Sequence, residues 1–286
     1  MKLRGILLTV FSSLWFSSAA MLIKGLGPDV PAVWVVCLRN ALAFPEVWWL
    51  LRREGLPLAS RNWPRLGLRA ILALLAMITN FWALPRMPLA NNTLLNQTAP
   101  LFAVLWGILF FGERPSRSAM ACTALAFVGV YVTLRPSFAG ALLPALMALC
   151  AGLTASLAFA TLRSIAQDEP HLRILAYFTG LGGAAMLPWV LSSGWLPDAR
   201  QLLMLAATAA CATIGQFFLT AGLRDAPVSL GSVGTLFSLV VGVGGGWAFW
   251  GEVPDPWTWT GCLLIGGGIA GVMLDSRRAR TAIPID

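Results

Sequence analysis

An all-α membrane protein, with ten transmembrane helices in two inverted five-helix repeats, is the fold class that three features of this chain predict. Hydrophobic residues make up 58% of its 286 residues, charged residues only 11%, and mean hydropathy is +0.76, well to the apolar side of soluble domains. Ten apolar runs follow one another with little between them, each near the roughly 20 residues that a helix needs to cross a hydrocarbon core about 30 Å thick. The stretch FFGERP, residues 110–115, returns as FWGEVP, residues 249–254, which is 139 places further on.

In the first half the runs are 5–23, 32–51, 66–84, 89–111 and 116–134; in the second they are 142–162, 172–191, 202–223, 228–250 and 257–274. Helix-breaking residues separate them: Gly27 and Pro28, Pro85 and Pro88, Pro115, Pro136, Pro170, Pro197, Pro227, Pro254 and Pro256. The first run has a rival reading, because MKLR ahead of an apolar stretch and FSSAA has the build of a secretory signal. The repeat requires this segment to be kept. The expected division is residues 1–138 for one repeat and 139–276 for the other, with a disordered cytoplasmic tail at 277–286.

The net charge of +8 reflects orientation rather than a nucleic-acid partner. With the N-terminus in the cytoplasm, 15 of the 20 Lys and Arg fall at cytoplasmic ends or loops, as the positive-inside rule requires. Both termini are then cytoplasmic, and the predicted location is the inner membrane of a bacterium. The five cysteines all lie in apolar runs without metal or redox spacing, and one histidine, His171, cannot build a metal site. Neither a metal nor a cofactor is expected.

A gapless shift of 139 pairs Pro88 with Pro227, Gly107 with Gly246, Glu113 with Glu252, Gly129 with Gly268 and Lys24 with Arg163. Five spans is an odd number, so the second copy enters the membrane from the opposite side. Inverted repeats of this kind place a solute site near the midplane between the halves.

These residues resemble the EamA-type members of the drug/metabolite transporter superfamily. The resemblance lies in AMLIK at the end of the first span, NFWALPRMPLANNTLLNQTAPLFAVLWGILFFGERP, the second-half echo ending in GGGWAFWGEVP, and GCLLIGGGIAGVML. It covers residues 5–274 and implies ten helices, alternating access and export of small metabolites such as amino acids, with the aromatic amino acid exporters as the nearest branch. The expected partners are a small-molecule substrate and the lipid bilayer, with no nucleic acid, and a monomer is expected. No acid occupies the first span, where the small drug exporters of that superfamily keep their proton-coupling carboxylate, so facilitated diffusion is expected ahead of proton-coupled efflux.

The richest polar cluster is NNTLLNQT, which supplies Asn92, Asn96 and Gln97, preceded by Thr79 and Asn80. Buried amides must find partners in other helices, in water or in a solute, and they suit zwitterions. Gln216 and Trp15 complete the candidate substrate-binding set; helix-to-helix hydrogen bonding is the alternative for the polar residues, and a lipid-facing or interface position is the alternative for Trp15. Arg39 and Glu46, seven residues apart on one helix face, carry charge at depth and are read equally as a structural pair or as functional groups. Lys24, Arg163, Glu113 and Glu252 are gating or structural candidates. Each glutamate precedes a helix start near Pro115 or Pro254, where a carboxylate favours the helix dipole. Pro100 is expected to kink the fourth span. With one histidine, no GxSxG and no paired acids at depth, an enzyme is not expected; a non-transporting assembly subunit remains as the second alternative.

Overall fold

The computed structural model describes residues 2–111, 116–134, 142–165, 168–225 and 237–281, and among these every regular element is helical. In chain order they are α1 (Lys2–Leu26), α2 (Ala32–Arg53), α3 (Trp63–Ala83), α4 (Leu89–Asn96), α5 (Ala99–Phe111), α6 (Arg117–Leu134), α7 (Leu142–Ile165), α8 (His171–Ser192), α9 (Ala199–Asp225), α10 (Phe237–Trp250) and α11 (Pro256–Thr281). A short 3₁₀ turn, Leu84–Arg86, joins α3 to the segment before α4. Five of the helices are long and apolar enough to cross a membrane by length and composition, and α6 and α10 contain shorter apolar stretches.

The distribution of side chains is that of a protein solvated by lipid. Leu109, Trp247 and Leu263 are 68%, 65% and 75% exposed. The inward face of α1, by contrast, carries Thr9, Ser13 and Ser17, all buried and one helical turn apart. Ser13 meets its hydrogen-bonding need by donating to the Thr9 carbonyl at 3.1 Å.

The repeat is written into the helix bounds. Moved 139 places on, the limits of α2 become His171 and Ser192, the limits of α8. The end of α5 at Phe111 becomes Trp250, the end of α10, and the start of α6 at Arg117 becomes Pro256, the start of α11. These copies pack on each other in opposite directions. Along α2, Trp34 meets Ser193 and Trp195, Asn40 meets Gly182 and Phe44 meets Gly180, so α8 recedes as α2 advances. Two helices related by the repeat and running antiparallel are the signature of inverted halves. The pairing follows the same two-fold: α1 packs on α9 and its copy α7 packs on α3, while α2 with α8 and α6 with α11 pair across the axis.

Two expectations need correction. The fourth span is two helices, α4 and α5, broken at Gln97 and Thr98. The hydroxyl and amide of Thr98 both donate to the Leu95 carbonyl, at 2.6 and 3.2 Å, which closes α4 early. The break therefore precedes Pro100, whose ring removes an amide donor from the first turn of α5. Second, the tail is not disordered from residue 277: α11 continues to Thr281. No proline intervenes before Pro284, and Arg277, Arg278 and Arg280 suit the negative end of a helix dipole. Residues 226–236, which include the start of the expected ninth span, lie outside the described residues.

Candidate functional site

The second of the doubled motifs builds a closed corner. Trp250 ends α10, and Gly251 turns the chain with φ +64°, a conformation that only glycine adopts freely. The amides of Gly251 and Glu252 donate back to the carbonyls of Trp247 and Gly246 at 3.0 and 3.1 Å, so that the helix ends in a tight left-handed cap. That turn aims the Glu252 carboxylate away from α11 and across to α4. It accepts the Leu89 amide at 2.9 Å and pairs with Lys24, whose ammonium also donates to the Met87 carbonyl at 2.7 Å and lies 5.5 Å from the Trp250 ring centre. Gly246 makes room for this carboxylate, because a Cβ there would lie 2.9 Å from its Oε2.

This arrangement alters the reading of Glu252. The acid that caps α11 is Asp255, which accepts the Thr258 amide at 2.8 Å; Glu252 instead serves the N-terminus of α4 and an ion pair between the two halves. Its repeat partner Glu113 and the side chain of Arg163 lie outside the described residues.

At the break in the fourth span, Gln97 donates to Ser238 of α10 at 3.1 Å, a bond between the halves. Gly152 of α7 closes on the same point, where a Cβ would stand 2.7 Å from the Thr98 hydroxyl. Asn96 is half-buried beside it. Asn80 in α3 has its Oδ1 buried without a partner, and so does the Ser12 hydroxyl in α1. Trp15 and Gln216 are half-buried in α1 and α9.

The other candidates are engaged elsewhere. Thr79 spends its hydroxyl proton on the carbonyls of Leu75 and Ala76, at 2.8 and 3.2 Å. Asn92 is buried and directs its amide to the Met87 sulfur at 4.0 Å, while its neighbour Asn91 accepts from Thr258 at 3.1 Å. Arg39 and Glu46 do not form a pair. Seven residues separate them by about 10 Å along the helix, Arg39 donates to the Met77 sulfur at 3.1 Å, and Glu46 is exposed.

Two features were missed in the sequence. Arg69 counts there as one more orienting charge, yet it stands in α3 with Nε and Nη1 buried and unpartnered and its guanidinium 5.5 Å from the Phe178 ring centre. Its position six residues inside the helix was the available signal. The second is a clasp at the end of the bundle opposite Lys24. Glu169 accepts from Ser60, from Asn62 at 3.0 Å and from Arg173 at 2.7 Å, tying the α2–α3 loop to the start of α8. Burial raises the Glu169 pKa, but hydrogen bonds from Ser60, Arg173 and Asn62 and the Arg173 charge outweigh it, leaving the carboxyl below its ordinary value.

The bundle thus has two antiparallel copies, a broken polar helix between them and an ion pair joining them at one end. A profile of the EamA-like transporter family matches residues 3–135 and again 142–274, two stretches offset by the same 139 places. The chain belongs to the EamA-like transporter family. It is a multi-pass membrane transporter, and the family and the relatives named here are transporters rather than enzymes. Among similar proteins, the pseudopaline exporter of Pseudomonas aeruginosa is 28% identical over 263 residues, covering 91% of this chain and 93% of its own. The riboflavin transporter of Rhizobium johnstonii is 28% identical, covering 90% and 88%. A probable terminal-alkyne amino-acid exporter of Streptantibioticus cattleyicolor is 31% identical, covering 69% and 67%. One solved crystal structure superposes with a TM-score of 0.67 over 98% of this chain and 99% of its own at 20% identity, a likeness of fold.

Proposed function

We propose that this EamA-like transporter exports small metabolites, amino acids foremost, by alternating access, and that net flow follows the solute gradient. It works as a monomer in a bacterial inner membrane with both termini cytoplasmic, its halves dividing near residue 138. In that orientation the Lys24–Glu252 corner faces outward and the Glu169 clasp faces the cytoplasm.

The observation that carries this reading is the break in the fourth span, where Gln97 of one half meets Ser238 of the other. A helix interrupted at membrane depth is tolerated where it lines a cavity or is held by protein, and here it places amide donors and acceptors on the seam along which the halves would rock. Asn96 adjoins the break in sequence, Asn80 of α3 has a buried Oδ1 without a partner to offer, and Trp15 and Gln216 belong to the same proposed lining. Thr79 and Asn92 shape this wall through their intrahelical and core contacts. Lys24 with Glu252 forms the outer gate, and Arg163 and Glu113 are gating or structural candidates by the repeat. The first-span face of Thr9, Ser13 and Ser17 contains no carboxylate to carry a proton, which favours facilitated diffusion. The names of the exporter relatives support outward transport of small solutes.

The test is uptake of labelled amino acids into proteoliposomes. Saturable flux that unlabelled amino acids compete for supports the reading, and Asn96→Ala or Gln97→Ala should alter flux or selectivity more than Glu113→Ala at equal folded amount. Vesicles that stay tight to every amino acid and small metabolite tried would contradict it.

A further inference from the structure

We propose that Arg39 and Arg69 are two anion stations at different depths in the seam of α2, α3 and α8, and that the solute is a carboxylate-bearing anion. This rests on the transporter reading above and names its substrate class.

Ionised side chains within a membrane span are ordinarily paired, because hydrocarbon does not solvate them. Among the described residues, neither arginine is. The described ion pairs, Lys24–Glu252 and Arg173–Glu169, stand at opposite ends of the bundle. The polar contact of Arg39 is a neutral sulfur, Met77 Sδ, which leaves the charge uncompensated. Arg69 lies against the face of the Phe178 ring, and its Nε and Nη1 are shut off from the surface with no acceptor. A guanidinium over an aromatic ring satisfies its face and leaves its N–H donors in the plane; Nε and Nη1 lie on different edges of that plane, so each is free to donate to one carboxylate oxygen. Snorkelling to a lipid headgroup would bring those donors to the surface, and they are not there.

The two groups bracket one close contact. Asn40, next to Arg39, and Leu74, between Arg69 and Met77, both press on Gly182, where a Cβ would lie 2.8 and 3.0 Å from them. Phe178 stands one turn before Gly182 on α8. Along α3, Arg69 and Met77 are eight residues apart, about 12 Å of helix rise. An anion crossing the bundle would therefore meet one cation from each end, with a neutral constriction between. Since α3 and α8 come from different halves, relative motion of the halves would change access to each station.

The experiment uses the full-length protein in detergent, following thermal unfolding in chloride alone and with citrate, succinate, L-glutamate or L-glutamine, a zwitterion without net charge, alongside L-glutamate and L-glutamine flux in proteoliposomes. We expect a carboxylate anion to stabilise the wild type, with apparent affinity falling at least tenfold in Arg39→Gln and Arg69→Gln and partly retained in Arg39→Lys and Arg69→Lys. Elution as a single folded species in gel filtration qualifies each variant. Equal stabilisation of the wild type and the glutamine variants, or no effect of any of the three anions on the wild type, overturns the inference. Saturable L-glutamine flux that persists in the Arg69→Gln protein would overturn it while leaving the transporter reading intact; loss of all solute flux in the wild type would instead defeat that reading.

Discussion

Lys24, in the last turn of α1, and Glu252, beyond the end of α10, form an ion pair between residues 228 places apart in the chain. Lys24 is buried and Glu252 is part-exposed. Removing one partner strands the other, so Lys24→Met should lower stability by about 2 kcal/mol, below the roughly 3–5 kcal/mol of fully buried pairs. Glu252→Gln should cost about as much, because the single amide oxygen can replace only one of the two carboxylate oxygens that accept from Leu89 and Lys24, and its NH2 then faces the other donor. A double-mutant cycle by thermal unfolding in detergent should return a coupling well above the few tenths expected of exposed pairs.

Gly152 lies where a side chain would collide with Thr98 at the break of the fourth span. Gly152→Ala should destabilise the protein by about 1–3 kcal/mol through overpacking. Gly67, in α3 with open space around it, supplies the control. Gly67→Ala should be neutral or stabilising by up to about 1 kcal/mol, through helix propensity alone. Gly152→Ala should lower the melting temperature, and Gly67→Ala should leave it unchanged or raise it.

The pseudo-two-fold can be tested at its axis. Gly129 of α6 faces Ile265 of α11, and their repeat partners Gly268 and Ala126 face each other; a Cβ on either glycine would lie within 3.0 Å of opposing backbone. Reciprocal contacts of this kind are what a two-fold interface requires. Gly129→Ala and Gly268→Ala should each destabilise, and by similar amounts of about 1–3 kcal/mol. A large effect at one and none at the other in thermal unfolding would show that the two contacts are not equivalent.

At the other end, the Glu169 carboxyl titrates below its ordinary value of 4.5. A carboxyl held down in the fold contributes stability that is complete above the unfolded value and fades as pH falls through the folded one. Glu169→Gln should therefore melt lower than wild type near neutral pH, with the gap closing as the pH is stepped down to about 3. Melting curves across that range check the sign: a gap that widens in acid would contradict it.

Much of this architecture was legible in the chain because lipid demands long apolar runs and the repeat leaves its mark at helix ends. The glycine and proline punctuation placed the limits of α2 and α8 within a few residues, and the 139-place shift held through the three-dimensional packing. The break in the fourth span was only half legible. Pro100 signals a disturbance, but it is the Thr98 hydroxyl bonding to Leu95 that ends α4, and a threonine within an apolar run has several possible bonds. The partnership of Lys24 with Glu252 could not be read, since nothing local in the sequence links an α1 lysine to the turn after α10. The same holds for Arg69. Its charge near the start of α3 fits the positive-inside pattern, and only the packing reveals that its Nε and Nη1 are shut off from the surface.

The central claim, that solute passes between halves that open at the Lys24–Glu252 corner, is tested most directly by locking that corner. In a cysteine-free background, Lys24→Cys and Glu252→Cys can be joined by a short bis-thiosulfonate linker that reduction removes. The account predicts that flux in proteoliposomes stops on linking and returns on reduction, while each single-cysteine protein treated alike keeps its flux. Equal flux in the linked and reduced double-cysteine protein would mean that the corner never has to open, and would contradict it.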